Sequence, residues 1–163
     1  MKRLSYWAIA LTIAGVDQKI KNEIEKKSPT EASEFSLGRS VVIHRCHNKG
    51  MMLNIGESYR PIVAILSLVM TVVLAVVFLF TLGKKGSNLL KLGQALMLGG
   101  AFSNTYDRLK RKYVVDYISF NLPFKGLRNI VFNIADFAIM IGATLVAISS
   151  HQKSREEGDI NQP

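Results

Sequence analysis

The stretch PIVAILSLVMTVVLAVVFLFTL, residues 61–82, contains no charged side chain. A helix of this length spans about 32 Å, because each residue adds about 1.5 Å, and that distance matches the hydrocarbon core of a bilayer. Three other apolar stretches flank it and predict further spans, at residues 4–17, 89–106 and 130–149. The sequence therefore predicts an all-α membrane protein, a four-transmembrane-helix bundle that forms a single integral membrane domain over residues 1–150.

The first stretch is the shortest and follows Lys2 and Arg3, as the apolar segment of a cleaved signal peptide would. Ala14 and Gly15 near its end make a poor cleavage site, and three later spans follow. A retained first helix is therefore favoured over a removed leader.

Polar segments separate the predicted spans. Residues 18–60 and 107–129 are the outer loops, and residues 151–163 form a polar tail that is predicted to be disordered and cytoplasmic. Within the loops, residues 40–47 begin with β-branched side chains and residues 113–119 have extended character, so both predict short strands.

The net charge of +9 limits the possible partners. Because the basic residues lie beside membrane spans, they predict contact with anionic membrane lipids rather than with nucleic acid. With a cytoplasmic N-terminus, seven of the 21 Lys and Arg residues would lie inside and fourteen outside, so charge bias does not set the orientation. Cys46 is the single cysteine, and with His44 and His47 it lacks a fourth ligand for structural zinc, so no metal site is predicted.

Acidic and amide side chains mark where chemistry could occur. Asp136 lies within the apolar run 130–149, where an acid costs about 2.5–3.5 kcal/mol and is usually retained for a function. Asn133 precedes it by three residues, and a second polar group lies at the end of the preceding span. That group consists of Asn104, Asp107 and Arg108. Since neighbouring antiparallel spans bring one end beside the next start, these groups should meet, with Asp116 arriving from the loop between.

The carboxylates differ in their predicted roles. Arg108, next to Asp107 in sequence, should hold that acid ionised, which indicates a structural role in anchoring the loop. Asp116 and Asp136 have no obvious cationic partner, and two carboxyl groups in a poorly solvated cleft keep one proton between them. Such a pair supplies the base and the acid of aspartic proteolysis.

Other chemistries fit the sequence less well. The histidines lie in the first loop and the tail, so neither a serine triad nor a zinc-protease motif is present. Local capping or pairing of the acids, and a proton path, remain open. Small residues four apart, such as Gly99 with Ser103 and Ala138 with Gly142, predict close packing of the third and fourth spans.

Five blocks in order resemble the lipoprotein signal peptidase (signal peptidase II) family. They are Asp17-Gln18 with Lys19, for its DQ-x-x-K region; Asn48-x-Gly50; Gly99-Gly100-Ala101 leading to Asn104-Thr105-Tyr106-Asp107-Arg108; Val114-Val115-Asp116-Tyr117; and Phe132-Asn133-Ile134-Ala135-Asp136.

The resemblance implies an intramembrane aspartyl endopeptidase of the bacterial cell membrane. It would remove the signal peptide from diacylglyceryl-modified prolipoproteins, cutting N-terminal to the lipidated cysteine, as a monomer without metal or cofactor. Its multi-pass bundle would open the active site toward the outer leaflet, with a small extramembrane β-cradle from the first loop. The catalytic pair would be Asp116 and Asp136. The substrate-binding or supporting residues would be Asp17, Asn48, Asn104, Asp107, Arg108 and Asn133.

Three departures from the family pattern affect the first loop and one packing position. Met51, Met52 and Leu53 replace small and aromatic residues, His47 stands where arginine is usual, and Ser103 replaces a glycine. They bear on substrate range more than on reaction type. They also motivate the alternative of a catalytically inactive relative that binds lipidated precursors or a membrane partner.

Overall fold

The computed structural model describes residues 3–26, 35–37, 41–50, 57–86, 88–120 and 130–160. The elements follow in the order α1 (Arg3–Lys26), β1 (Phe35–Leu37), β2 (Val41–Asn48), a short 3-10 turn (Glu57–Tyr59), α2 (Arg60–Gly83), α3 (Asn88–Lys110), β3 (Val114–Phe120), β4 (Val131–Phe132) and α4 (Ile134–Ile160).

The central helix of the bundle is α3, which packs against the other three helices. It approaches α4 closely at two places: a Cβ added to Gly142 would lie 2.5 Å from the carbonyl oxygen of Gly93, and one added to Gly100 would meet the carbonyl oxygen of Ala135. The prediction that small residues bring the third and fourth helices together is therefore confirmed for Gly142. Gly99 instead lies against the backbone of Ala10 in α1, so it tightens a different helix pair.

Among the described residues, two helices are candidate membrane spans. The whole of α2 and residues 134–155 of α4 are long and apolar enough to cross a bilayer. Large apolar side chains of α2 are exposed, including Phe80 at 72% and Ile62 at 61%, as expected for a lipid-facing surface. In contrast, α1 and α3 contain charged and amide side chains that are buried inside the bundle, and these lower the mean hydropathy of the two helices. The protein is thus mostly helical with two clear candidate spans, and crossing by all four helices stays a prediction.

The C-terminal tail differs from the prediction. Helix α4 continues to Ile160, so the disorder predicted from residue 151 is wrong for residues 151–160. The stretch HQKSREE contains Gln, Lys, Arg and Glu, which are good helix formers. Extending an existing helix also requires no new nucleus, so the helix propagates beyond its apolar part.

A small antiparallel sheet of four strands, in the order β1-β2-β3-β4, lies beside the helices. The two predicted strands are present as β2 and β3, whereas β1 and β4 have only three and two residues and gave no sequence signal. The register pairs Cys46 with Asp116 and Asn48 with Val114, after an irregularity between Ile43 and Cys46. This register places the end of β2 beside the acidic residue of β3.

Candidate active site

One asparagine contacts both of the predicted catalytic carboxylates. The side-chain amide of Asn133 donates to Asp116 Oδ1 at 2.7 Å, and its backbone N–H donates to Asp136 Oδ2 at 3.0 Å. Asn133 is fully buried and lies between β4 and α4. The two acids, which lie on different elements, therefore converge on the same group.

Asp136 caps its own helix as well as facing the site. It lies in the first turn of α4, which begins at Ile134, rather than deep within a helical span as the apolar run suggested. Its backbone N–H donates to Asn133 Oδ1 at 2.8 Å, so the two residues form a reciprocal capping box. Its other oxygen, Oδ1, accepts from the amide of Asn104 at 2.8 Å. Local capping, one of the open alternatives, thus accounts for only one of its two oxygens.

Asp116 is 3% exposed and is held by two amides. Besides Asn133, the side chain of Asn48 donates to its Oδ2 at 3.1 Å. Burial, reinforced by the charge of Asp136, raises the pKa of Asp116 to about 7. Burial and the charge of Asp116 also raise the pKa of the Cys46 thiol, so this neighbour is not an activated nucleophile.

A buried ionic network lies directly behind the carboxylate pair. The Lys21 ammonium lies 2.8 Å from Asp17 Oδ2 and 3.1 Å from Asp107 Oδ2, and all three side chains are fully buried. Arg111 lies 2.6 Å from Asp107 Oδ1, so two carboxylates face two cations. The Lys21 ammonium also donates to Asn104 Oδ1 at 2.8 Å, which connects the network to the amide that holds Asp136.

Two details of this network correct the sequence analysis. The cations beside Asp107 are Lys21 and Arg111, not the neighbouring Arg108. The lysine that belongs to the Asp17 motif is Lys21, four residues on, whereas Lys19 is exposed. The four-residue spacing was the signal that identifies Lys21, since residues i and i+4 share one helix face.

Asp107 and Tyr117 fix the loop and strand around the site. The Val115 N–H donates to Asp107 Oδ2 at 3.2 Å, so this acid holds β3 next to Asp116. Tyr117, absent from the predicted site, donates to Asp17 Oδ1 at 2.9 Å and accepts from the Ile134 N–H at 3.2 Å. Burial and the charge of Asp17 raise the pKa of Tyr117, which keeps its hydroxyl a donor.

Asn48 and Arg108 connect the site to the first loop. Asn48 Oδ1 accepts from the Gly50 N–H at 3.2 Å, and the Arg108 guanidinium donates to the Gly50 carbonyl at 3.2 Å. His47, the first-loop departure, lies 2.6 Å from Glu25 Oε1 and stacks on Tyr113 at 4.1 Å between centroids. The departures at residues 51–53 lie outside the described residues.

An open cleft of about 490 Å³ lies between α2, α3 and α4 beside these residues. Its polar end contains Asn104, Arg108 and Asp136, and its walls are mostly apolar, with Val73, Leu74 and Met97 among them. The Arg108 Nε is buried without a hydrogen-bond partner among the described residues. The cleft can therefore accept an apolar chain whose polar group reaches Asp136.

All eight residues predicted for the site lie in this region of the structure. Asp116, Asp136, Asn48, Asn104 and Asn133 form the inner hydrogen-bonded group. Asp17 and Asp107 belong to the ionic network behind it, and Arg108 lies at the cleft. Among the described residues, no group of His, Cys, Asp and Glu is arranged to hold a metal ion.

Comparisons with known proteins identify the family. Residues 9–152 match the family described as signal peptidase (SPase) II. Lipoprotein signal peptidases from Brucella ovis and Brucella canis are each 29% identical over 160 residues, covering 96% of this chain and 98% of theirs.

Two solved structures described as a bacterial membrane enzyme share the fold. One superposes with a TM-score of 0.75 at 22% identity, over 92% of this chain and 89% of the other. The second gives 0.73 at 22% identity, over 89% and 91%. The resemblance seen in the five sequence blocks is confirmed, and the chain belongs to the signal peptidase II family.

Proposed function

We propose that this protein is an aspartyl endopeptidase that cuts diacylglyceryl-modified prolipoproteins on the N-terminal side of the lipidated cysteine. Its family supports removal of signal peptides from prolipoproteins at a membrane. The observation that carries the aspartyl mechanism is the contact of Asn133 with both Asp116 and Asp136.

The chemistry follows from two acids that hold one proton. The ionised carboxyl takes a proton from a water molecule, whose oxygen attacks the scissile carbonyl carbon. The protonated carboxyl donates its proton to the carbonyl oxygen. The C–N bond then breaks as the other carboxyl passes the proton taken from water to the leaving amine, and the first carboxyl regains its own proton as the carbonyl of the product re-forms. A pKa of about 7 for Asp116 supports its holding the shared proton near neutral pH.

The surroundings support orientation of the pair. Asn104 and Asn133 fix the two carboxyl groups, and Lys21 fixes Asn104 in turn. Lys21 forms ion pairs with Asp17 and Asp107, and the two cations of this network balance its two carboxylates. The site therefore leaves the pair without a salt bridge of its own among the described contacts.

The open cleft supports a substrate that arrives from the lipid. Its apolar walls suit a leader helix or an acyl chain, and the buried Arg108 N–H offers a donor to a substrate carbonyl. We infer that the substrate enters sideways between α2 and α4, from the outer leaflet.

The test is cleavage of a synthetic precursor peptide by purified protein in detergent. Peptides with and without diacylglycerol on the cysteine are compared, and mass spectrometry identifies the new N-terminus. We expect cleavage of the lipidated peptide only, and a loss of at least about 100-fold for Asp116→Asn and for Asp136→Asn. Glu23→Gln, at an exposed helical position, is the matched control and should cleave normally.

Each contrary result identifies a different error. Cleavage by both Asp variants at the wild-type rate would refute the aspartyl mechanism. Equal cleavage of the unmodified peptide would refute the lipid requirement. Tight binding of the lipidated peptide by the wild type without release of the leader would establish the alternative of an inactive, precursor-binding relative.

A further inference from the structure

A second cavity lies at the opposite end of the helices from the carboxylate pair. It has a volume of about 490 Å³ and lies between the end of α2, the turn that follows, the start of α3 and the late part of α4. The described residues that line it include no acid. They are Thr81, Lys84, Lys85, Gly86, Leu90, Lys91, Ser149, Ser150, Gln152 and Lys153.

The turn between α2 and α3 holds three of these lysines together. The Lys84 N–H donates to the Thr81 carbonyl at 3.1 Å, and the Lys91 ammonium donates to the Lys84 carbonyl at 2.7 Å. Gly86 has φ +104°, a left-handed conformation that side chains other than glycine rarely adopt. The backbone of the turn thus brings three lysines to the same cavity.

The depth of the cavity relates it to the membrane. It lies where α2 ends at Gly83 and close to Arg155, where the apolar part of α4 ends. Leu79, Phe80 and Ile148, which are 55%, 72% and 44% exposed, precede it on the same two helices. A ligand at this depth meets cationic groups beyond the bilayer core and apolar side chains within it.

The cavity is separate from the proposed catalytic site. Lys91 and Asn104 are thirteen residues apart on α3, which corresponds to about 20 Å along a helix. Binding at one site therefore does not require contact with the other.

We propose that this cavity binds the phosphate headgroup of an anionic phospholipid, whose acyl chains lie along the exposed apolar surface of α2 and α4. Lysine ammonium groups suit phosphate, and the N-terminal end of α3 adds the positive pole of a helix dipole. The bound phosphate would offset the mutual repulsion of the lysines and tie together the ends of three helices. The exposed apolar side chains favour a lipid over free phosphate.

Trp7 provides a probe for this site. It is the single tryptophan, and its ring packs edge-on against Phe78 at 5.2 Å between centroids, one helical turn before Thr81. Lipids with brominated acyl chains quench tryptophan at short range, so they report which lipids gather around this end of the bundle. The full-length protein is reconstituted in phosphatidylcholine bilayers with increasing brominated phosphatidylglycerol, or with brominated phosphatidylcholine as reference.

We expect phosphatidylglycerol to quench Trp7 at lower mole fraction than phosphatidylcholine. Lys84→Gln/Lys85→Gln should reduce this preference by about fivefold or more, the effect expected for removing even one lysine near an anionic headgroup. Lys110→Gln/Lys112→Gln, which removes two charges at the far end of α3, is the matched control and should keep the preference. Thermal unfolding of each variant checks that the helices remain assembled.

Three results would overturn the proposal. One is equal quenching by the two lipids in the wild-type protein. Another is a preference that survives Lys84→Gln/Lys85→Gln in a folded variant or that disappears equally in the control. The third is loss of the preference in millimolar inorganic phosphate at constant ionic strength, which would show a site for the free anion rather than for a lipid.

Discussion

The raised pKa of Asp116 predicts how the stability of the protein depends on pH. Its ordinary value is 3.8, and burial together with the charge of Asp136 raises it to about 7 in the fold. Between these two values the unfolded chain ionises while the folded chain keeps its proton. The stability contributed by this carboxyl is therefore complete below pH 3.8 and is lost as the pH rises toward 7.

The size of the effect follows from the shift. Each pH unit in this window costs about 1.36 kcal/mol, and the whole shift of roughly three units corresponds to about 4 kcal/mol. Between pH 5 and pH 8 the protein passes through about two of these units. We therefore expect Asp116 to remove about 2–3 kcal/mol of the free energy of unfolding over that range.

Replacing Asp116 by Asn removes this ionisation and keeps the shape of the side chain. An amide at this position also faces the donating amides of Asn48 and Asn133, which lowers stability at every pH. The informative quantity is thus the change in stability between pH 5 and pH 8, not its value at one pH. The wild type should lose about 2–3 kcal/mol more over this range than Asp116→Asn.

The assay is reversible unfolding in a non-ionic detergent, followed by the fluorescence of Trp7 at several pH values. Glu23→Gln, which removes an exposed carboxylate, should keep the pH dependence of the wild type. Parallel curves for the wild type and Asp116→Asn would show that Asp116 ionises normally in the fold. The shared proton, and with it the proposed division into acid and base, would then be wrong.

Three further predictions concern the ionic network, the packing of α3 against α4, and the cap of α4. Lys21→Met should lower the free energy of unfolding by about 3–5 kcal/mol, because it leaves two buried carboxylates short of a cation. Lys19→Met, on the exposed face of the same helix, should cost little in the same unfolding assay, and equal effects of the two substitutions would contradict the ionic network. Gly142→Ala should cost about 1–3 kcal/mol, since its Cβ would meet the facing backbone of α3, while Gly83→Ala meets open space and should be tolerated in thermal unfolding. Asn133→Ala should lower the free energy of unfolding by about 1 kcal/mol and remove most of the cleavage rate. Asn133→Ser should restore the helix cap, and with it the stability, but not the cleavage rate. Recovery of both would show that the asparagine acts only as a cap.

The sequence predicted much of the fold because the strongest signals are local. The uncharged run of α2 and the β-branched residues of β2 act through their own hydrophobicity and backbone preference. Weak local signals misled the prediction at two places. The polar composition after residue 150 predicts a disordered tail, whereas α4 continues to Ile160. Strand β4, with two residues, depends on pairing with β3 rather than on its own composition.

The site was predicted as a set of residues, but the partners within it were not. Adjacency in sequence predicts Arg108 as the cationic partner of Asp107, but the side chains of successive residues on a helix point about 100° apart. The cations that lie there are Lys21 on another helix and Arg111 one turn further. The hydroxyl of Tyr117 also joins Asp17 to the start of α4, a contact across one hundred residues.

Composition and spacing along the chain are enough to predict membrane-compatible helices and to show two acids without a cation nearby in sequence. Hydropathy and charge are properties of each residue, so they need no coordinates. In contrast, the folded arrangement is needed to see that Asn133 contacts both acids and that Lys21 pairs with Asp17 and Asp107. The reason is that hydrogen bonds and burial depend on distances of about 3 Å between atoms from different elements, which sequence spacing does not specify.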